Sequence, residues 1–173
     1  MENQASSKNI ILNYGVYLGI ASVLLNLVNY AIGDFLKPHW SISILSGVLM
    51  IVIIVMAFKK FKEINEGFMS WGQAVKIGVG IVLIGTLINV IYGRVFSTLI
   101  EPDFYTQVAK VQTQAYLESG LTEEQTEAQV AMQSKFQGTI IGDSLGLLLF
   151  AFLGFVSSAI AGAIMKRTEE DNY

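Results

Sequence analysis

The chain has no cysteine, a single histidine and only two prolines among its 173 residues. Without cysteine there can be no disulfide, no thiolate metal site and no cysteine nucleophile. That also suits a chain whose loops face an oxidising compartment. Lipidation is not expected: no cysteine is available, and Glu2 stands where myristoylation needs glycine. The sequence contains no nucleotide-binding glycine loop, no H-E-x-x-H helix and no serine nucleophile elbow. Charge is scarce too, at 14% of residues, against about 25% in an ordinary soluble domain.

The missing charge is unevenly distributed. Asn9 to Gly33, Pro38 to Phe58, Ile77 to Gly93 and Ser144 to Met165 carry no formally charged residue. A hydrocarbon core about 30 Å thick needs about 20 apolar helical residues. The third stretch is the shortest, but Lys76 and Arg94 can snorkel to the headgroups and let the helix extend past both. The pattern predicts an all-α, integral membrane four-helix bundle, one membrane domain over 1–173, with spans at about 10–33, 38–58, 73–97 and 140–165. The first stretch exceeds the roughly 7 to 15 residues of a signal-peptide core and lacks an A-x-A-like cleavage site after it, so it reads as a retained span.

Orientation follows from Lys and Arg in short flanks. With the amino terminus inside, the inner flanks hold Lys8, Lys59, Lys60, Lys62, Lys76, Lys166 and Arg167. The outer segments hold Lys37, Arg94, Lys110 and Lys135, spread over more chain. Both termini are therefore expected in the cytoplasm.

Asp34 to Lys37 is a turn short enough to force an antiparallel pair, and Pro38 is suited to opening the second helix. His39 and Trp40 are expected at the outer interface. On the inner side, Lys59, Lys60 and Lys62 suit anionic headgroups, and Phe68, Met69 and Trp71 suit the interface. Gly67 can turn the chain, and Ser70 with Gln73 forms a capping box for the third span. Lys59, Lys60, Lys62, Phe68 and Trp71 are the candidate interaction residues, although an ordinary interfacial lead-in accounts for the same pattern.

Arg94 to Asp143 is the only sizeable segment outside the predicted spans. Pro102-Asp103 opens a helical pattern with Phe104, Val108, Val111 and Ala115 on one face. Gly120 can stop it, and Thr122 with Gln125 caps a second helix with Ala128, Ala131, Met132 and Phe136 on one face. An extramembrane amphipathic hairpin over about 101–137, resting on the bundle, is expected. It serves as a cap or a partner-binding surface, and Arg94 can pair with Asp143.

Helices in lipid associate through small residues and polar contacts. The candidate packing residues are Gly15 and Gly19, then Gly138, Gly142 and Gly146, then Gly154, Ser158 and Gly162. Gly142 and Ser158 lie about 160° apart around a helix, so the last two patches face different neighbours, either internal helices or another subunit. Asn26, Asn29 and Asn89 are the candidate intramembrane polar residues, as packing contacts or as a polar path. Transporters usually place ionisable groups deep in the membrane, and here Asp34, Lys76, Arg94 and Asp143 all sit at the edges of the charge-free stretches.

Several local sequences carry a resemblance. They are Asn13-Tyr14-Gly15, the basic run closing the second span, Glu66-Gly67-Phe68-Met69-Ser70-Trp71-Gly72-Gln73-Ala74, Lys76-Ile77-Gly78 and Glu101-Pro102-Asp103-Phe104. Over nearly its whole length the chain resembles the bacterial membrane family called domain of unknown function 4199, with Glu101 where that family is expected to carry aspartate. The resemblance implies a four-span inner-membrane protein of a Gram-negative cell, with 94–143 periplasmic, and it supplies no catalytic residue.

The expectation is a non-enzymatic accessory, scaffold or interaction subunit without cofactor or metal. Its partners would be the bilayer and either another membrane protein or a second copy; nucleic acid is not expected. The alternative is a small oligomeric transporter or channel for an unidentified solute.

Overall fold

The computed structural model describes residues 2–33, 35–37 and 39–167, with side chains from Ser7 onward. The described residues form six α-helices and no strand. These are α1 (Glu2–Ile32), α2 (Trp40–Ile64), α3 (Trp71–Val95), α4 (Phe104–Glu118), α5 (Glu123–Ser134) and α6 (Ile140–Met165). A π-helical segment, Phe96–Ile100, prolongs α3. Four helical segments are long and apolar enough to cross a membrane: Ser7–Ile32, Trp40–Ile64, Trp71–Ile100 and Ile140–Met165. The expected roles of Asp34 and Pro38 lie outside the described residues.

Helix α2 runs past the expected end at Phe58 and carries the basic run in its last turns. Buried Phe58 and Phe61 continue its packed face below the lysines, while Lys62 lies at the negative end of the helix dipole. Helix α3 extends past both Lys76 and Arg94, and Ser70 and Gln73 close the expected capping box at its start.

Helix α3 is the centre of the bundle, packed against α1 on one side and α6 on the other, with α2 lying mainly on α1. The α1–α3 contact is reciprocal. A Cβ on Gly15 would lie 2.6 Å from Ile84, and one on Gly19 2.6 Å from Ile88; conversely, Gly80 receives Ile11 and Gly85 receives Leu18. The paired positions rise together along both chains, so α1 and α3 are parallel. On the other side Val82 meets Gly154, Gly78 meets Ser158 and Ala74 meets Gly162. Here the positions run in opposite directions, so α3 and α6 are antiparallel. Small residues on one helix therefore admit larger side chains of the next, giving the dispersion contacts that hold helices together where water expulsion does not operate. The buried cluster of Ile54, Phe58, Phe61, Ile77, Ile81 and Val82 fills the middle.

The three glycines preceding this stripe behave differently. Gly138 adopts φ +66 in the connection before α6, and its absent side chain makes room for the Tyr105 ring. Gly142 faces the Phe136 carbonyl, and Gly146 meets no atom within 4 Å. The expectation that Gly138, Gly142 and Gly146 form one helix-packing stripe is corrected on this point. The first shapes a turn, the second accommodates a backbone oxygen and the third leaves space.

Helices α4 and α5 pack on one another, joined through Gly120 at φ +92 and capped by the Thr122–Gln125 box. The face α5 turns inward is not the apolar one. Thr126 is buried and Gln133 donates to the Tyr116 hydroxyl at 2.7 Å, whereas Ala128, Ala131, Met132 and Phe136 are exposed. Thr126 and Gln133 lie seven residues apart, two helical turns on one side, so it is this polar face that α5 turns inward.

Candidate functional site

Two groups of candidate residues lie at opposite ends of the bundle. At one end, residues 59–71 are tied to the end of α6. Met69 and Arg167 exchange both main-chain hydrogen bonds, at 2.9 and 3.0 Å. Lys62 donates to the Met165 carbonyl at 3.1 Å, and Lys60 pairs with Glu63 at 3.1 Å. The loop turns through Glu66 (φ 54) and Gly67 (φ 89). Phe68 lies 6.0 Å beneath the Arg167 guanidinium. Trp71 donates its indole N–H to the Ala159 carbonyl at 3.0 Å while 46% of it stays exposed. Of the expected interaction residues, Lys60, Lys62 and Phe68 are thus occupied within the chain, and Lys59 and Trp71 present surface.

At the α4–α5 end the structure gathers the three asparagines. Asn26 donates to the Ser22 carbonyl at 2.9 Å and, at the 3.5 Å limit, to Asn89 Oδ1. Asn89 in turn donates to the Gly85 carbonyl at 2.9 Å. Asn29 is 7% exposed. All three line one cavity of about 280 Å³ between α1 and α3, together with Tyr30, Phe35, Phe96 and Phe104. A buried amide left without a partner costs about 1–3 kcal/mol, so this grouping is not neutral filler.

The aromatic wall is built by the π-helical segment. There Glu101 N–H reaches back to the Phe96 carbonyl at 2.8 Å, which inserts one extra residue per turn. Phe96 then stands edge-on to Tyr30 (5.1 Å) and Phe104 (5.5 Å), while Phe35 lies 5.0 Å from Tyr30. Such edge-to-face pairs are worth about 0.5–1.5 kcal/mol beyond burial. Glu101 locks the arrangement by accepting from Tyr30 at 3.2 Å and Gln107 at 2.6 Å. No sequence pattern singles out Tyr30, Phe35 or Tyr92, because aromatic residues near a span end read as ordinary interfacial anchors.

A second cavity of about 270 Å³ lies across α3, between it and α6, lined by Thr86, Asn89, Gly93, Arg94, Asp143 and Gly146 among others. Arg94 closes one side. Its Nε donates to Asp143 at 3.0 Å, and its two terminal nitrogens reach Asp143 and the Gly138 carbonyl. The pairing expected between these two residues is present. Asn89, Gly93 and Tyr105 line both cavities.

His39 is exposed and caps α2, its Nδ1 2.9 Å from the Ser41 hydroxyl. Among the described residues no group of three or more His, Asp or Glu side chains is placed to hold a metal ion.

A model of the family described as "Protein of unknown function (DUF4199)" matches residues 13–167. No curated protein and no solved structure matches the chain.

Proposed function

The chain belongs to the DUF4199 family of proteins of unknown function, and on that premise we propose that it is a multi-pass inner-membrane protein acting as a non-enzymatic accessory or scaffold subunit. In this reading both termini and residues 59–71 are cytoplasmic, and α4 and α5 form a periplasmic hairpin. The observation that carries it is the fixed loop between α2 and α3, with the helix ends that flank it. Main-chain hydrogen bonds to Arg167 and a lysine bond to Met165 hold its shape, leaving Lys59 and Trp71 displayed on a rigid support. A preorganised surface loses less entropy when a partner docks.

In-membrane crosslinking from position 59, followed by identification of attached proteins, tests this reading. A reproducible partner whose yield falls in Lys59→Glu and Trp71→Ala supports it. Crosslinks confined to copies of the chain, or unchanged by either variant, overturn it.

A second reading, a small oligomeric transporter or channel, draws on the amide-lined cavities beside Asn89. Their neighbouring segment, where Gly15, Leu18, Ile84 and Gly85 interlock, is packed shut, so conduction would require α1 and α3 to part. Solute flux in liposomes that is lost in Asn89→Leu supports this reading, and flux unaffected by that change removes the amides from the path.

A further inference from the structure

We propose that the cavity between α1 and α3 binds an uncharged, planar ring compound carrying carbonyl groups, of the quinone or aromatic-carboxamide class. Asn29 makes the case. The residue is more than nine-tenths buried and lines the cavity, and its side chain has no hydrogen-bond partner among the described residues, whereas Asn26 beside it and Asn89 across from it donate to main-chain carbonyls. Tyr92 and Tyr105 line the same space. The amide and the phenols each offer donors beside their acceptor oxygens, and a ligand carbonyl oxygen is a group that can take up those donors.

A single water satisfies one such group, but the cavity of about 280 Å³ exceeds the roughly 150 Å³ that accommodates benzene in an apolar interior. Its remaining walls are the rings of Tyr30, Phe35, Phe96 and Phe104, which favour stacked or edge-on contact with another ring. Of the nearest charges, Arg94 is paired with Asp143 and also reaches the Gly138 carbonyl. Glu101 keeps its charge, with its oxygens taken by the neutral donors Tyr30 and Gln107. An anionic ligand would face that carboxylate without a counter-ion, and a cation would have to displace both of its donors. Gly93, on the shared floor, has open space where a Cβ would stand, so the room is real and can be filled without displacing the backbone.

The test uses the full chain in lipid nanodiscs, titrated separately with a decyl-substituted benzoquinone, with nicotinamide and with decylbenzene as the carbonyl-free control. Binding is read by ligand-induced thermal stabilisation and by quenching of protein fluorescence. The expected result is saturable binding of a carbonyl probe, weakened about 10-fold in Asn29→Leu and abolished in Gly93→Leu, with neither unliganded variant melting below the parent. Quinone binding alone identifies a membrane-dissolved ligand, and nicotinamide binding alone a water-borne one. Failure of both carbonyl probes, equal binding of decylbenzene, or binding unchanged in both variants overturns the proposal. If Asn29→Leu is destabilised without ligand, Gly93→Leu decides.

Discussion

Gly78 of α3 faces Ser158 of α6 so closely that a Cβ added to the glycine would overlap the serine hydroxyl and lie 2.6 Å from its Cβ. That hydroxyl is itself committed, donating to the Gly154 carbonyl at 2.5 Å, and the serine is fully buried. Neither residue can yield without moving a helix. Gly78→Ala is therefore expected to destabilise the bundle by about 1–3 kcal/mol, while Gly47→Ala, where a Cβ meets nothing within 4 Å, should be neutral or stabilising. Thermal melts of the two variants in the same detergent check this, and equal melting points would remove the α3–α6 contact from its central place.

The Arg94–Asp143 pair ties α3 to the start of α6 while remaining partly solvated, with side chains 39% and 30% exposed. Charge-assisted hydrogen bonds of this kind contribute about 1.5–3 kcal/mol. Arg94→Ala and Asp143→Ala should each cost about that much, and a double-mutant cycle should show strong coupling because each single change strands the other charge. Arg94→Lys should recover only part of the loss, since one ammonium cannot reproduce the planar fork that reaches both Asp143 and Gly138. Additive single effects would contradict the pairing.

How much of this architecture is legible in the sequence depends on the residue. The spans are visible because a charge-free apolar stretch of such length is costly to leave in water, and both capping boxes because their side chains act within one turn. Gly154, Ser158 and Gly162 are readable as a packing stripe. Gly138, Gly142 and Gly146 show the same four-residue spacing but serve a turn, a carbonyl and an open space, because spacing alone does not reveal where a helix begins. The inward face of α5 departs from its apolar pattern for a related reason. Gln133 donates to Tyr116 while its own oxygen and the Thr126 hydroxyl are buried without a partner among the described residues, and the sequence does not record which polar residues will find partners. The π-helical segment has no compositional signature, so neither the aromatic wall nor the isolation of Asn29 behind it is foreseeable.

At the opposite end, the loop between α2 and α3 is expected to depend on its bridge to the end of α6. Arg167→Pro removes the N–H that donates to the Met69 carbonyl at 3.0 Å. Amide hydrogen exchange over residues 66–70 should then quicken by about 5- to 30-fold, the equivalent of about 1–2 kcal/mol. Exchange in the α1–α3 contact should not change. Protection unaltered at 66–70 would show that the turn is self-sufficient.

Tyr30→Phe deletes the hydroxyl that donates to Glu101 at 3.2 Å and leaves the ring in its edge-on contacts. A loss of stability is expected because the acceptor is charged, with less if the Gln107 contact tightens. Glu101→Leu should lose more, because Tyr30 and Gln107 are both left without their partner. Denaturant or thermal unfolding of the three proteins side by side establishes the ranking, and a Glu101→Leu variant as stable as the parent would refute it.

The parallel pairing of α1 with α3 has a bearing on biogenesis. Parallel neighbours cannot be joined by a hairpin, so a chain threaded into a bilayer span by span must place α2 before α1 can meet its main partner. Until α3 leaves the insertion machinery, the faces carrying Gly15 and Gly19 have only lipid or a chaperone to rest against. α6 arrives last, after the whole of α4 and α5 has been made, and finds a preassembled groove along Ala74, Gly78 and Val82. Truncation after α2 should therefore leave a product cleared by membrane proteases, whereas truncation before α6 should leave one that retains the α1–α3 core.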